Sequence, residues 1–274
     1  MRTIVLGSTG MLGRYITKYL GAQGFCRDHF DAAQGIPKWN FRLQPDDIVI
    51  NCIGILKPYI KTVGPMHTIL VNSVFPQQIA QYCKEDGAKF IHICSDCVYS
   101  GKRGQYVETD ICDAGDLYAK TKCIEPANTT VIRTSFIGED INEDGVGLLE
   151  HVLNQKEIDG YDNCFWNGVT ALQLGKVIKH IIDNNLFWTG VRHIHSPETI
   201  SKYELCQMIR DVYHLDLKVN RQSADNIGGT SINGKLDRSL SSLHDVDQYN
   251  IPSIKDQLHE LKDYGRPTLW RKIL

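Results

Sequence analysis

Tyr118 and Lys122 are four residues apart, so on a helix their side chains share one face and lie close enough to act together. A phenol is a weak acid near neutral pH, and a neighbouring ammonium favours the phenolate and lowers the phenol pKa. This pairing would make Tyr118 a proton donor to a carbonyl group that receives hydride. Ser95 ends an apolar run upstream, and its hydroxyl could hydrogen-bond the same carbonyl oxygen. The three residues form a candidate catalytic set.

The segments around this set have to position it, because the same spacing also arises by chance on solvated helix faces. Residues 89–95 form an apolar run that predicts a buried strand ending at Ser95. The segment between Ser95 and Tyr118 is rich in Gly, Asp and Lys, and its length predicts a flap over a ligand. Pro126 ends the following helix early. The chemistry is therefore expected at the end of a strand, beside a long loop.

A glycine-rich turn near the start of the chain predicts a second part of the site. A short apolar strand runs into the spacing Gly-x-x-Gly-x-x-Gly and then into a helical pattern, instead of the commoner Gly-x-Gly-x-x-Gly. Glycines allow a tight turn, and the helix N-terminus presents free amides and a positive dipole to a phosphate. The turn predicts a bound nucleotide, although a loop that needs small residues for packing would look similar. The predicted cofactor-binding residues of the turn are Gly7, Ser8, Thr9, Gly10, Met11, Leu12 and Gly13.

Further cofactor contacts are expected where the next strand ends, since ligands bind at the carboxyl edge of parallel sheets. The strand over residues 47–54 ends in polar and small groups, and a helix starting near Pro65 follows it. A weakly marked second strand is followed by Arg27, which would favour a 2′-phosphate, and by Asp28, which would favour a ribose hydroxyl. NADPH is therefore preferred as the cofactor, with NADH left open. The residues predicted to contact it here are Asn51, Cys52, Ile53, Gly54, Asn72, Tyr118 and Lys122.

The order of the elements predicts the fold class. Strands and helices alternate up to about residue 137, which is typical of an α/β fold of the Rossmann type, with a doubly wound parallel sheet. The alternation of strands and helices then stops, and the pattern of residues 138–168 is typical of loops. Helical patterns follow at residues 171–182, after a capping box at Ser201 and Glu204, and after Pro252. We therefore predict an NAD(P)-binding domain over residues 1–160 and a smaller α/β, mainly substrate-binding domain over 161–274. The chain could cross between the two.

Composition restricts the partners. The 274 residues carry a formal net charge of −2, which gives no reason to expect a nucleic acid or an anionic membrane as partner. No charged and then apolar leader opens the sequence, and no apolar run approaches the roughly 20 residues of a membrane helix, so a cytoplasmic location is expected. The nine cysteines are interpreted mostly as reduced, buried small side chains. Cys94 and Cys97 form a Cys-x-x-Cys pair, but nothing completes a zinc site, and no metal is expected.

Several motifs occur in one order along the chain. After the glycine turn come Asn51-Cys-Ile-Gly54, Ser95-Asp-Cys-Val-Tyr-Ser-Gly101, Asp116-Leu-Tyr-Ala-Lys-Thr-Lys122 and Val131-Ile-Arg-Thr-Ser135. In this order the sequence resembles the extended short-chain dehydrogenase/reductases, and within them the dTDP-4-dehydrorhamnose reductase group, over nearly its whole length. The resemblance implies a Rossmann fold that binds NAD(P)H at the glycine turn and a nucleotide-diphosphate sugar in a cleft beneath the C-terminal part.

The resemblance also implies roles for the candidate residues. Ser95 would orient a sugar ketone, Tyr118 would donate the proton, and Lys122 would hold the nicotinamide ribose. The implied reaction is NAD(P)H-dependent reduction of the 4-keto group of a nucleotide-diphosphate 4-keto-6-deoxy sugar, in rhamnose-like deoxysugar biosynthesis for surface polysaccharide. The implied substrate contacts are Ser95, Asp96, Cys97, Val98, Tyr99, Trp166 and Asn167.

Two other functions remain open. The sequence Ser95-Asp96-Cys97 looks like the Ser-x-Cys of GDP-fucose synthase, which implies that Cys97 is a further catalytic candidate, an acid or base for 3,5-epimerisation. Lys156 falls near the place of the second acid/base partner, although a lysine at a helix end also suits the helix dipole. Relatives of this fold also serve as non-catalytic NADP-binding regulatory subunits, which is the alternative of another class. A homodimer is left open.

Overall fold

The computed structural model describes residues 1–35, 42–140, 147–224 and 234–266. Its strands are β1 (Thr3–Leu6), β2 (Gln23–Phe25), β3 (Ile48–Asn51), β4 (Lys89–Ser95), β5 (Thr130–Thr134), β6 (Phe136–Ile137), β7 (Glu157–Tyr161), β8 (Cys164–Trp166), β9 (Val169–Thr170), β10 (Gly190–His193), β11 (Ile200–Ser201), β12 (Lys218–Gln222) and β13 (Leu236–Asp237). Its α-helices are α1 (Met11–Leu20), α2 (Ile60–Val63), α3 (Pro65–Ile69), α4 (Phe75–Asp86), α5 (Leu117–Lys122), α6 (Leu148–Leu153), α7 (Ala171–Asp183), α8 (Lys202–Tyr213) and α9 (Ile254–Tyr264).

Six parallel strands form the central sheet, in the order β10-β5-β4-β3-β1-β2. β1 pairs with β2 on one side and with β3 on the other, so the strand order reverses there. In such sheets ligands bind outside the carboxyl ends of the strands at this reversal point. The α/β fold class with a Rossmann-type parallel sheet, predicted from the alternation of elements, is confirmed, and within the described residues the structure adds one three-stranded and two two-stranded sheets.

The chain returns to the sheet after residue 160. β10 adds to the edge of the sheet beside β5, and α7 packs against α1. One buried cluster joins Ile16 and Ile93 to Ile178 and Leu258. The chain therefore crosses between its two parts, as the sequence left open, and the domain bounds 1–160 and 161–274 stay a prediction. The second range includes residues 225–233 and 267–274, which lie outside the described residues.

The interpretation of residues 138–168 as loop-rich is wrong for its second half, and residues 141–146 lie outside the described ranges. β7 alternates in burial, with Ile158 buried and Asp159 exposed, which is the pattern of a strand with one solvated face. It pairs with β12, while β8 pairs with β11 and β13. These partners lie far along the chain, so local sequence gives a weak signal for the pairing.

A long helix between β3 and β4 is interrupted by one turn of π-helix. α3 and α4 are joined by Leu70–Val74, a π-helical turn that contains Asn72. Such turns are frequent at functional sites because they re-aim a side chain within a helix. Within the described ranges, no helix is long and apolar enough to cross a membrane.

A buried carboxylate ties the amino ends of β1 and β3 together. The Asp47 side chain is 1% exposed and accepts hydrogen bonds from the backbone N–H groups of Arg2 (2.8 Å) and Gln44 (2.8 Å). It also pairs with the Arg2 guanidinium. The hydrogen bonds from Arg2, together with that from Gln44, lower the pKa of Asp47 to about 2.

We expect Asp47→Asn to lower the free energy of unfolding by about 2 kcal/mol at about pH 6. Because the folded pKa is depressed, this contribution is present above the unfolded pKa and is lost as pH falls through the folded value near 2. Urea denaturation of both proteins should show their difference shrinking between about pH 5 and about pH 3. Asp46→Asn, an exposed neighbour, is the control. A difference that stays constant over this range would contradict the role given to Asp47.

Candidate active site

A cleft of about 430 Å³ opens at the carboxyl ends of β1, β3, β4 and β5. Eleven predicted site residues line it: Gly10, Met11, Leu12, Cys52, Ile53, Gly54, Ser95, Asp96, Cys97, Tyr118 and Lys122. The predicted cofactor turn and the predicted catalytic set therefore meet in one cavity.

Other residues that line the cleft were not predicted from the sequence. They are Leu56, Tyr59, Ile93, Cys94, Thr134, Ser135, Phe136, Asp140 and Gly147. Thr134 and Ser135 form a polar cluster where β5 ends, so strand-end position was an available signal for them. Asp140 and Gly147 themselves belong to no helix or strand, and nothing in the local sequence marks them.

The glycine turn has the geometry of a phosphate site. Gly7 has a φ of +84°, which favours glycine, and its carbonyl oxygen accepts a hydrogen bond from the Gly10 N–H at 3.0 Å. A Cβ atom on Gly13 would lie 2.0 Å from that same oxygen, so only glycine allows α1 to pack this closely on the turn. No side chain caps the start of α1, and its first amides are left for a ligand.

A guanidinium beside the turn also suits an anion. Arg14 donates from Nε to the Thr9 carbonyl at 2.5 Å, while its Nη1 is buried and has no hydrogen-bond partner among the described residues. Arg27 and Asp28 are both exposed after β2, so both remain candidates for the far ribose. The free amides and the unpaired guanidinium nitrogen fit the diphosphate of a dinucleotide cofactor.

The catalytic set lies where β4 ends and α5 begins. Tyr118 and Lys122 are 7% and 6% exposed and both face the cleft. Asp116 caps α5 by accepting a hydrogen bond from the Ala119 N–H at 3.0 Å. The Ser95 hydroxyl accepts a hydrogen bond from the Cys97 N–H at 3.1 Å, donates one to Asp96 Oδ1 at 3.2 Å, and lies near enough to Tyr118 to lower its pKa. The structure thus brings Ser95 and Tyr118 together in the cleft.

The influence of Lys122 on Tyr118 stays a prediction, because burial has the largest effect on the Tyr118 pKa. Burial raises the pKa of Tyr118, with a further rise from Cys97 and a smaller lowering from the nearby Ser95 hydroxyl. The Lys122 ammonium lies over Gly54 instead, 3.0 Å from where a Cβ on that glycine would stand, and burial lowers the pKa of Lys122 itself. Removal of the phenol from water outweighs the ammonium, so Tyr118 is held as a neutral proton donor.

Asn72 and Asn51, both predicted to contact the cofactor, are buried and bonded inside the protein. The Asn72 amide accepts from the Ile55 N–H (2.7 Å) and donates to the Ile55 carbonyl (3.1 Å) and the Thr121 hydroxyl (3.2 Å). The Asn51 amide oxygen accepts from the Ile53 N–H at 3.0 Å. Both side chains position the loop after β3, and Asn72 also holds α5, because buried amides must satisfy their hydrogen bonds.

Six further residues predicted as contacts do not line the cleft. Four of them belong to the glycine turn but lie outside the cleft lining: Gly7, Ser8, Thr9 and Gly13. The other two follow β4. Val98 is buried, and the Tyr99 hydroxyl accepts a hydrogen bond from Arg133 Nη1 (2.7 Å) while the Tyr99 ring stacks on Tyr106. These apolar and aromatic groups form the core of the neighbouring segment, which is why they do not reach the cleft.

The predicted contacts from the C-terminal part are also internal. The Asn167 amide pairs with the backbone of Leu240 in both directions, at 2.7 and 2.8 Å. Trp166 is 4% exposed and donates from its indole N–H to the Ser135 hydroxyl at 2.8 Å. Trp166 therefore orients Ser135, which does line the cleft, but does not line it itself.

The segment predicted as a flap is docked against the C-terminal part. The Tyr106 backbone donates to the Ser239 carbonyl (3.0 Å) and accepts from the Ser241 N–H (2.8 Å). The Gly101 carbonyl accepts from the Asp237 N–H at 2.7 Å. These backbone hydrogen bonds attach residues 99–116, which we call the wall segment, to the C-terminal part of the molecule.

The sequence model of the RmlD substrate binding domain matches residues 1–250 of the chain. The chain belongs to this family. A methionine adenosyltransferase 2 subunit beta from Danio rerio is 25% identical over 249 residues, 78% of this chain and 74% of the relative. A dTDP-4-keto-6-deoxy-D-glucose reductase from Streptomyces niveus is 22% identical over 231 residues, 76% and 77% of the two chains. The resemblance identified in the sequence is therefore confirmed.

The RmlD-family fold is also found in solved structures. The dTDP-4-dehydrorhamnose reductase of Bacillus anthracis, determined in complex with NADP, superposes with a TM-score of 0.77. The match covers 96% of this chain and 99% of that one at 18% identity, a level that shows a shared fold.

Two cations that the sequence did not predict interact with residues lining this RmlD-family cleft. Lys202 begins α8, and its ammonium lies 4.8 Å from the centre of the Trp166 ring and interacts electrostatically with Asp96 and Cys97. Arg238 also interacts with Asp96, and its Nε donates to the Tyr99 carbonyl at 2.9 Å. Lys202 directly follows Ser201 of the capping box. The sequence therefore predicted that Lys202 begins a helix, but not that it lies near Asp96 and Cys97.

The predicted second acid/base residue is not at the cleft. Lys156 is exposed, and it lies before β7 and not in a helix, because α6 ends at Leu153. Burial and the neighbouring Asp96 raise the pKa of Cys97 to about 11, so its thiol is neutral. Among the described residues, no group of three or more His, Cys, Asp or Glu side chains could hold a metal ion.

Proposed function

We propose that this RmlD-family member uses NAD(P)H, with NADPH preferred, to reduce the 4-keto group of a nucleotide-diphosphate 4-keto-6-deoxy sugar. The observation that carries the proposal is the meeting of Ser95, Tyr118 and Lys122 with the glycine turn in one cleft. The Streptomyces niveus relative, named as a dTDP-4-keto-6-deoxy-D-glucose reductase, supports the class of substrate. The product would serve rhamnose-like deoxysugar and surface-polysaccharide biosynthesis.

The side chains have separate tasks in this reaction. Bound NADPH supplies the hydride. The Ser95 and Tyr118 hydroxyls, which both face the cleft, would hydrogen-bond one ketone oxygen. Burial keeps Tyr118 protonated, so its hydroxyl proton is available to the oxygen as negative charge develops there. Lys122, over Gly54 at the end of β3, is placed to hold the cofactor ribose.

The decisive assay combines the purified protein, NADPH or NADH, and dTDP-, GDP- and UDP-linked 4-keto-6-deoxy sugars. Ketone-dependent oxidation of the cofactor, followed by its absorbance, should appear with at least one sugar nucleotide. NMR of the product should show a new hydroxyl at C4. If the protein binds NADPH but oxidises it with none of these sugars, the reductase proposal is wrong.

Lys202 and Arg238 would hold the negatively charged diphosphate of the substrate. We expect Lys202→Met to raise KM for the sugar nucleotide about tenfold, the effect of losing one charge-assisted hydrogen bond. The kcat and the NADPH dissociation constant should change less than about threefold, because the contact is made equally in ground and transition states. Lys156→Met, at an exposed lysine outside the cleft, is the matched control. An unchanged KM would exclude Lys202 from substrate binding.

A second candidate function is that of an NADP-binding subunit of another enzyme. It is favoured by the Danio rerio relative, whose name is that of a methionine adenosyltransferase subunit. The two functions differ in their need for the Tyr118 hydroxyl. If Tyr118→Phe restores the phenotype of a deletion strain as well as the unaltered gene, the subunit function is the correct one.

The bifunctional alternative, with 3,5-epimerisation at Cys97, has less support. A thiol with a pKa near 11 is a poor base at neutral pH, and Lys156 lies outside the cleft. Solvent deuterium found at C3 or C5 of the product, and lost in Cys97→Ala, would reinstate it.

A further inference from the structure

Two thiols that the proposed reaction does not use lie together outside the cleft. Cys112 belongs to the wall segment 99–116, and Cys123 directly follows Lys122 at the end of α5. The two side chains pack on the same buried cluster, and each thiol shifts the pKa of the other. Neither residue lines the cleft. Residues eleven positions apart in the chain are thus brought together.

The pair lies close to the protein surface. Both cysteines are half-buried, and each has a strongly exposed apolar neighbour, Ile111 at 83% and Ile124 at 52%. By contrast, Cys83 is only 1% exposed. Both cysteines are therefore partly open to solvent in the folded protein.

The surroundings favour a thiolate at one member of the pair. The Cys123 thiol, and then the buried Arg133 guanidinium, lower the pKa of Cys112 to about 7, against the opposing effects of burial, Glu125 and Asp113. Arg133 is itself 1% exposed and paired with Glu125 at 2.7 Å. Because the thiolate is the nucleophile, Cys112 is the member that reacts first.

We propose that Cys112 and Cys123 form a reversible thiol–disulfide site that reacts with small-molecule disulfides. The Cys112 thiolate attacks one sulfur of the small disulfide, forming a mixed disulfide and expelling a small thiolate. Cys123 then loses its proton and attacks the Cys112 sulfur, forming the internal bond and expelling the second small thiolate. The protein loses two electrons and two protons, and the small disulfide is reduced to two thiols.

The internal disulfide would fix the wall segment to the end of the catalytic helix. Before oxidation, the Cys123 N–H closes the last turn of α5 on the Ala119 carbonyl at 3.0 Å. The new bond would close a short loop that contains all of α5, and so restrict the helix that carries Tyr118 and Lys122. The thiol chemistry itself does not depend on any reductase activity of the cleft.

Peptide mapping of the whole native protein tests the site. The protein is incubated with oxidised glutathione at neutral pH, remaining thiols are alkylated, and tryptic peptides are compared with and without reduction. Trypsin should release residues 104–120 and 123–133 as separate peptides, so the internal bond appears as their covalent pair, lighter by two hydrogens than the sum. Dithiothreitol should abolish the pair.

Single variants separate the two steps. Cys123→Ser should stop after the first step and retain one glutathione on residues 104–120, whereas Cys112→Ser should slow glutathione incorporation into the pair about tenfold. Cys83→Ser, at a buried cysteine, should leave the linked peptides unchanged. The proposal fails if the unaltered protein keeps both thiols reduced under these conditions, or if each takes up its own glutathione without the internal bond.

Discussion

Replacing Tyr118 by phenylalanine is expected to lower kcat for ketone reduction by about 10³-fold, the usual range for loss of a positioned general acid. The side chain is 7% exposed and lies in the first turn of α5, so phenylalanine keeps its packing and removes only the hydroxyl group. Thermal stability should therefore change by no more than a few degrees. Initial rates with saturating NADPH and sugar nucleotide, beside a fluorescence titration of NADPH, separate chemistry from binding.

A second tyrosine of the cleft provides the matched control. Tyr59 also lines the cavity but is 45% exposed and lies in the short 3₁₀ helix Lys57–Tyr59 after β3. Tyr59→Phe should keep kcat within about threefold of the unaltered protein, because no proton transfer is assigned to it. If Tyr118→Phe retains more than about a tenth of the rate, the proton comes from another group and the mechanism is wrong.

Four strands of the central sheet, β1, β3, β4 and β5, could be predicted because each is a local apolar run, whereas β2 is weakly marked and β10 was not predicted. Lys89–Ser95 is an apolar run ended by a polar residue, and the structure gives β4 those bounds. The capping box at Ser201 and Glu204 likewise marks the start of α8 in the sequence and in the structure. By contrast, β7 and β8 are short and pair with distant segments, so their stability comes from partners that the local sequence does not contain.

The candidate site was predicted in its outline but not in its contacts. Asn72 and Asn167 were interpreted as ligand contacts, yet both satisfy their amides on backbone groups of the protein. Residue type shows what a side chain can bond, and only the fold shows whether a partner is already there. The same reason explains why Lys202 was missed, since its neighbours Asp96 and Cys97 lie in another part of the chain.

The glycines of the cofactor turn should respond differently to alanine. In Gly13→Ala the new Cβ would stand 2.0 Å from the Gly7 carbonyl oxygen and 3.1 Å from Ser8 Cα, so the backbone of β1 or α1 has to move. We expect a loss of about 3 kcal/mol in the free energy of unfolding, as for severe overpacking. Urea denaturation measures this loss without any assumption about the reaction.

Gly10→Ala is expected to weaken cofactor binding without lowering the stability of the fold. Its Cβ would make an ordinary contact, 3.4 Å from the Gly7 oxygen, at a backbone φ of −73° that any residue adopts. Stability should therefore change by less than about 0.5 kcal/mol. The methyl group would nevertheless stand at the start of α1, where the turn approaches a diphosphate, and should raise the NADPH dissociation constant at least about tenfold. Fluorescence titration measures that constant.

Gly115→Ala adds a Cβ that meets no atom of the described residues within 4 Å, so it should alter neither stability nor cofactor binding. We thus expect Gly13 to be needed for the packing of α1 on the turn, and Gly10 for the close approach of the cofactor. If Gly13→Ala and Gly10→Ala destabilised the protein equally, these separate roles would be wrong, because the added atom at Gly10 has no backbone to displace. Unchanged NADPH binding in Gly10→Ala would instead place the diphosphate away from the start of α1, and with it the cofactor that the proposed reduction requires.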